Sequence, residues 1–270
     1  MKELESIVIG KSSIPALVIT IILMIAIPVA FFIFWRKKYK EQTNISWVIA
    51  GAVGFIVSAR VLELGVHMLC IVSDNPVSRF INGNTVVFVL YGTIMAGVFE
   101  ECGRYIVLKF ILKKNRTREN AILYGIGHGG IEILAVLIPS MISFLLIAVM
   151  FSAGDMEAAF STLGITEENS AAILPSVQTV ATFDYGMMAM NVYERLIAMF
   201  CHIGLTVIVY YGVTCAKKIC LPGAILLHML MDTFPALYQR GVVPLWSAEI
   251  WETVWMIIIM FIAVKLYRKM

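Results

Sequence analysis

Four groups of residues in this chain have the types and spacing to do chemistry: Glu100-Glu101-x-x-Arg104, His128-x-x-x-Glu132, His202 and His228-x-x-x-Asp232. All four lie inside long apolar runs. An ionisable side chain at membrane depth costs several kcal/mol unless it is paired or hydrated, so by default it marks a functional site. Residues four apart share a helix face, which puts Glu100 with Arg104, His128 with Glu132 and His228 with Asp232 on three stripes. Two adjacent glutamates in a low-dielectric site cannot both ionise cheaply. Arg104 can neutralise one, leaving the other as a general base with histidine as its companion in handling a proton.

That set suits hydrolysis by an activated water, which needs a hydrated cavity, a base and donors facing the developing oxyanion. It also admits a metal, because His128, His202 and His228 with a carboxylate could make a three-ligand zinc site with an open position. The sequence holds no His-Glu-x-x-His, and on this reading no cofactor is favoured.

The elements that must position these groups are helices crossing a bilayer. The chain of 270 residues is 60% hydrophobic and only 14% charged, with mean hydropathy +0.88. That composition defines an all-α, polytopic membrane protein. Seven runs can span about 30 Å of hydrocarbon: 14–35, 45–69, 85–112, 120–150, 190–214, 219–238 and 248–267. The fourth is too long for one straight crossing, and Pro139 offers a kink; whether 139–152 forms an eighth span is left open.

Lys and Arg gather at Arg36–Lys40, Lys113–Arg118, Lys217–Lys218 and Lys265–Lys269. Taking those ends as cytoplasmic puts the N-terminus outside and the C-terminus inside. Counting from that face at 1.5 Å per residue brings Glu100, Glu101, His128, Glu132, His202, His228 and Asp232 to nearly one depth, roughly 18 Å in. The glycines of Gly125-Ile126-Gly127-His128-Gly129-Gly130 leave room for another backbone or a substrate.

The chain reads as a single transmembrane domain with its core bundle at 85–238 and an external loop or lid at 152–189. Arg60 with Glu63 reads as structural, and His67 and Glu194-Arg195 as structural or entrance groups. The net charge of +3 is small and sits in loop clusters, so no nucleic-acid partner is expected. Five cysteines without a Cys-x-x-Cys indicate neither a zinc knuckle nor a disulfide framework.

Glu-Glu-x-x-Arg, then the helix of His128 and Glu132, then His228-x-x-x-Asp232 resembles the superfamily of CAAX-processing and bacteriocin-immunity membrane proteases, with PrsW-like relatives. The whole chain is similar to its YhfC branch of intramembrane proteases. The resemblance implies an intramembrane endopeptidase of a bacterial plasma membrane, acting on a membrane-associated peptide or protein. In that scheme Glu100 and His128 activate a water, while His228 with Asp232 polarises the scissile carbonyl and stabilises the oxyanion. The alternatives from other classes are a proton-coupled transporter using the same residues as a relay, a bis-histidine haem protein, and a non-catalytic immunity or assembly factor.

Overall fold

A computed structural model describes residues 2–270, and every regular element among the described residues is a helix, without a strand. Among them seven helices are long and apolar enough to cross a membrane: α1 Ser13–Lys38, α2 Ile45–Val72, α3 Thr85–Ile111, α4 Arg118–Ser152, α5 Tyr185–Thr214, α6 Cys220–Gln239 and α7 Leu245–Tyr267. Their outer faces expose Ile22, Val53, Leu90, Phe110 and Ile257, whereas Glu100, Glu101, Arg104 and His128 are buried. Charge inside and hydrocarbon outside is the arrangement a bilayer requires, and this is a multi-pass integral membrane protein.

The described chain divides into two compact units. One contains the chain up to Ile27 together with Ile133–Arg195. Here the expected loop at 152–189 holds two helices, Met156–Leu163 and Ser170–Ala181. The first is capped by Asp155, whose carboxylate accepts from the Ala158 N–H at 3.0 Å, and it ends at Gly164 in the left-handed region (φ 64°). Leu4, Phe151, Ala159, Phe160, Ile165 and Val177 form this unit's buried apolar cluster. The segment therefore packs into a small core that it shares with Leu4 and Phe151.

The other unit, Pro28–Glu132 with Leu196–Met270, carries every candidate site residue. Its helices approach closely because glycines face the crossings. A Cβ on Gly127 would sit 2.0 Å from the Val48 carbonyl, and one on Gly51 would sit 2.2 Å from the Tyr124 carbonyl. Between α2 and α4 the two backbones are thus in contact. Gly125 does the same for α4 and α5, where a Cβ would lie 2.7 Å from Ile203 Cα. Gly97 lets α3 reach the backbone of α6 at Ile225, one turn before Glu100 and Glu101.

Three helices are irregular where the chemistry lies or just beyond it. In α3 and α4, π-helical turns at Val107–Ile111 and Ile133–Leu137 follow Arg104 and Glu132. The α4 turn precedes Pro139, which has no N–H to give the Ala135 carbonyl. In α6 the α-helix Cys220–Met231 stops at Asp232 and a second, Thr233–Gln239, begins there. Pro235 has no N–H for the Met231 carbonyl, so the break falls at the last residue of the His228-x-x-x-Asp232 motif.

Candidate active site

Glu100, Glu101 and Arg104 are presented by α3, His128 and Glu132 by α4, His202 by α5, and His228 and Asp232 by α6. The close crossings bring all eight together. The ring centres of His128 and His202 lie 5.1 Å apart, and those of His202 and His228 lie 6.1 Å apart.

The contacts run between helices more than along them. His128 Nε2 lies 3.0 Å from Glu100 Oε2. Glu101 Oε1 contacts the Arg104 guanidinium and accepts from His228 Nδ1 at 2.8 Å. Arg104, with none of its surface exposed, also reaches His202 Nδ1 with Nη2 at 3.2 Å. An arginine nitrogen can only donate, so Nδ1 of His202 presents its lone pair and its other nitrogen carries the proton. That nitrogen, Nε2, lies 2.6 Å from Glu132 Oε2.

His202 and His228 each stand between two carboxylates. His202 has Glu132 on Nε2 and Glu100 Oε2 3.9 Å from Nδ1. His228 has Glu101 on Nδ1 and Asp232 Oδ2 3.4 Å from Nε2. In both sequences the inner carboxylate is nearly or wholly buried, while the outer side chains, Glu132 and Asp232, keep 23% and 28% of their surface exposed. Each imidazole thus links a closed interior to a more open rim.

Donor atoms from Glu100, His128 and His202 all lie within 4.8 Å of one another. Two imidazoles and a carboxylate are the donor set of a catalytic zinc site that keeps an open position. Glu132 behind His202 is the outer carboxylate that fixes a ligand's tautomer in such sites. Buried Nδ1 of His128 has no hydrogen-bond partner among the described residues. The residues fit a metal, with Glu100 in the place that the three-histidine set gave to His228, because the donor atoms that converge are those of Glu100, His128 and His202.

Tyr124, fully buried one turn before His128 and stacked on it at 6.1 Å between ring centres, escaped the sequence reading. Its hydroxyl has no partner among the described residues. The Tyr124-x-x-x-His128 spacing was the available signal. His67 and Glu63 lie outside this cluster, paired with each other at 3.2 Å, and His67 also meets the Tyr91 hydroxyl at 2.9 Å. Glu63 pairs with His67 rather than with Arg60. Glu194 contacts its neighbour Arg195.

Fold and site together define a multi-pass membrane protein with a buried carboxylate–histidine centre. The chain belongs to the YhfC intramembrane metalloprotease family, whose model matches residues 23–252. It is also similar to the "Uncharacterized membrane protein YhfC" of Bacillus subtilis (strain 168), with 33% identity over 218 residues, 80% of this chain and 81% of that protein. No solved structure matches it. The family's description and the Glu–His–His cluster both favour a metal, where sequence reading favoured none.

Proposed function

We propose that this protein hydrolyses a peptide bond of a membrane-embedded substrate at a zinc centre held by Glu100, His128 and His202. The observation that carries this reading is the convergence of those three donor sets within 4.8 Å in the interior of a membrane protein of this family. Zinc, when bound, supplies Lewis acidity toward a carbonyl and a water. The chain's own residues do the rest. Glu132 orients His202. Arg104 compensates Glu101, and Glu101 in turn holds His228. His228, donating toward carboxylates on both sides, is placed to hand a proton to the departing amine and take one back from the rim through Asp232.

A second reading needs no metal and rests on the direct 3.0 Å contact of Glu100 with His128, in which Glu100 takes the proton from the attacking water. Placement beside the CAAX-processing and PrsW-like proteases belongs to the same proposal and is supported by the order of the Glu-Glu, His and His-Asp motifs.

Metal analysis of the purified protein separates the two readings. The zinc reading expects about one zinc per chain, reduced in Glu100→Gln and in His128→Ala. Membrane-protein fragments present in cells with the native chain should disappear in cells with Glu100→Gln. Fragments that persist in that variant would exclude both mechanisms, while full cleavage by thoroughly metal-stripped protein would leave only the glutamate one.

A further inference from the structure

The basic pair Lys217–Lys218 meets a lysine from another span, outside the four loop clusters, at the wall of one cavity. Lys109, Lys217 and Lys218 converge on a cavity of about 400 Å³ at the ends of α3, α5 and α6, with Tyr105, Val213 and Leu221 among its walls. No described Asp or Glu lines it. We propose that this cavity binds the phosphate headgroup of an anionic phospholipid.

The local structure holds the Lys109 ammonium and the backbone of Lys217 and Lys218 there. Lys109 lies one turn after Tyr105 on α3, donates to its hydroxyl at 2.6 Å and stands 4.9 Å from the centre of its ring. Lys217 and Lys218 occupy the turn between α5 and α6. That turn closes with the Lys217 N–H donating to the Gly212 carbonyl at 2.9 Å and the Cys220 N–H donating to the Lys217 carbonyl at 3.1 Å. It requires Ala216 at φ 54°, a left-handed conformation that an alanine adopts only under strain. It also requires Gly212, where a Cβ would meet Cys220 Cβ at 2.6 Å.

Three like charges around one cavity, with no carboxylate among its walls, call for an external anion. The level in the bilayer selects which one. Lys109 is in the last turn of α3, and Lys217 and Lys218 lie between the last residue of α5 and the first of α6, so the cavity opens at the height of the lipid headgroups. Val209, Val213 and Leu221 offer apolar surface beside the lysines, which suits a glycerol and acyl chain but gives nothing to a free phosphate ion. Basic pockets between spans on the cytoplasmic side are the usual headgroup sites of membrane proteins.

Native mass spectrometry of the delipidated, full-length protein tests this, with phosphatidylglycerol, phosphatidylcholine and inorganic phosphate titrated separately and in competition. One phosphatidylglycerol per chain should be retained, well above phosphatidylcholine. Lys109→Gln alone should weaken it roughly fivefold and the triple Lys→Gln variant about a hundredfold, while a triple Lys→Arg variant keeps it. Lys265→Gln with Lys269→Gln, which changes charge elsewhere, should leave it unchanged. The single Lys109→Gln variant decides the matter if the triple one inserts incorrectly. Equal retention of the two lipids, unchanged affinity in Lys109→Gln, or displacement of the lipid by an equal concentration of inorganic phosphate would each overturn the proposal.

Discussion

At the scale of residues, the site is a network in which each polar group answers for another. Arg104 is the hinge of it: its guanidinium contacts Glu101 and reaches His202, and all of it is buried. Removing one partner of a buried pair strands the other charge, so Arg104→Gln should destabilise the protein by about 3 kcal/mol, read as a loss in thermal stability in detergent. Glu132 acts differently, on the far nitrogen of His202. Glu132→Gln keeps the shape but weakens the acceptor, and zinc affinity measured by chelator competition should fall roughly 10- to 100-fold with little change in melting temperature. A normal zinc affinity there would remove Glu132 from its positioning role. The pairings were the least legible part of the site. Spacing placed His128 with Glu132 on one stripe, yet Glu132 meets His202 and His128 meets Glu100. Sharing a face fixes direction, whereas the partner is chosen by helix rotation and rotamer across an interface, which spacing does not encode.

At the scale of elements, the glycines decide where helices touch. Gly127→Ala would drive a Cβ onto the Val48 carbonyl, and separating α2 from α4 to admit it should cost at least about 3 kcal/mol. Gly92, on α3, has nothing within 4 Å of a would-be Cβ. Gly92→Ala should therefore stabilise by roughly 0.5–1 kcal/mol, the helix-propensity gain alone. Melting temperatures moving in opposite directions would confirm that contact, not glycine as such, is at stake. Hydropathy made the spans legible to within a few residues, except that α5 starts at Tyr185 rather than near 190. Asp184, accepting from the Met187 N–H at 2.9 Å, begins that helix before its apolar run does. The caps at Asp155 and Asp184 were visible signals outweighed by polar composition, which is why the 152–189 segment read as a loop.

At the scale of the whole molecule, orientation connects the site to the compartments on either side. The basic clusters follow α1 and α3, precede α6 and end the chain, alternating along seven crossings without exception. Short loops rich in Lys and Arg stay in the cytoplasm because translocating those charges against the membrane potential is unfavourable. Single cysteines in a variant lacking Cys70, Cys102, Cys201, Cys215 and Cys220 should therefore label from outside at Glu167 and only after permeabilisation at Lys114 and Arg268. The reverse pattern would invert the membrane face on which Lys109, Lys217 and Lys218 meet lipid, and with it the leaflet that supplies the headgroup. Labelling of both sets from outside would mean mixed insertion. Charge distribution would then be too weak to orient the chain, and moving Lys113 and Lys114 to the opposite loop should shift the mixture further.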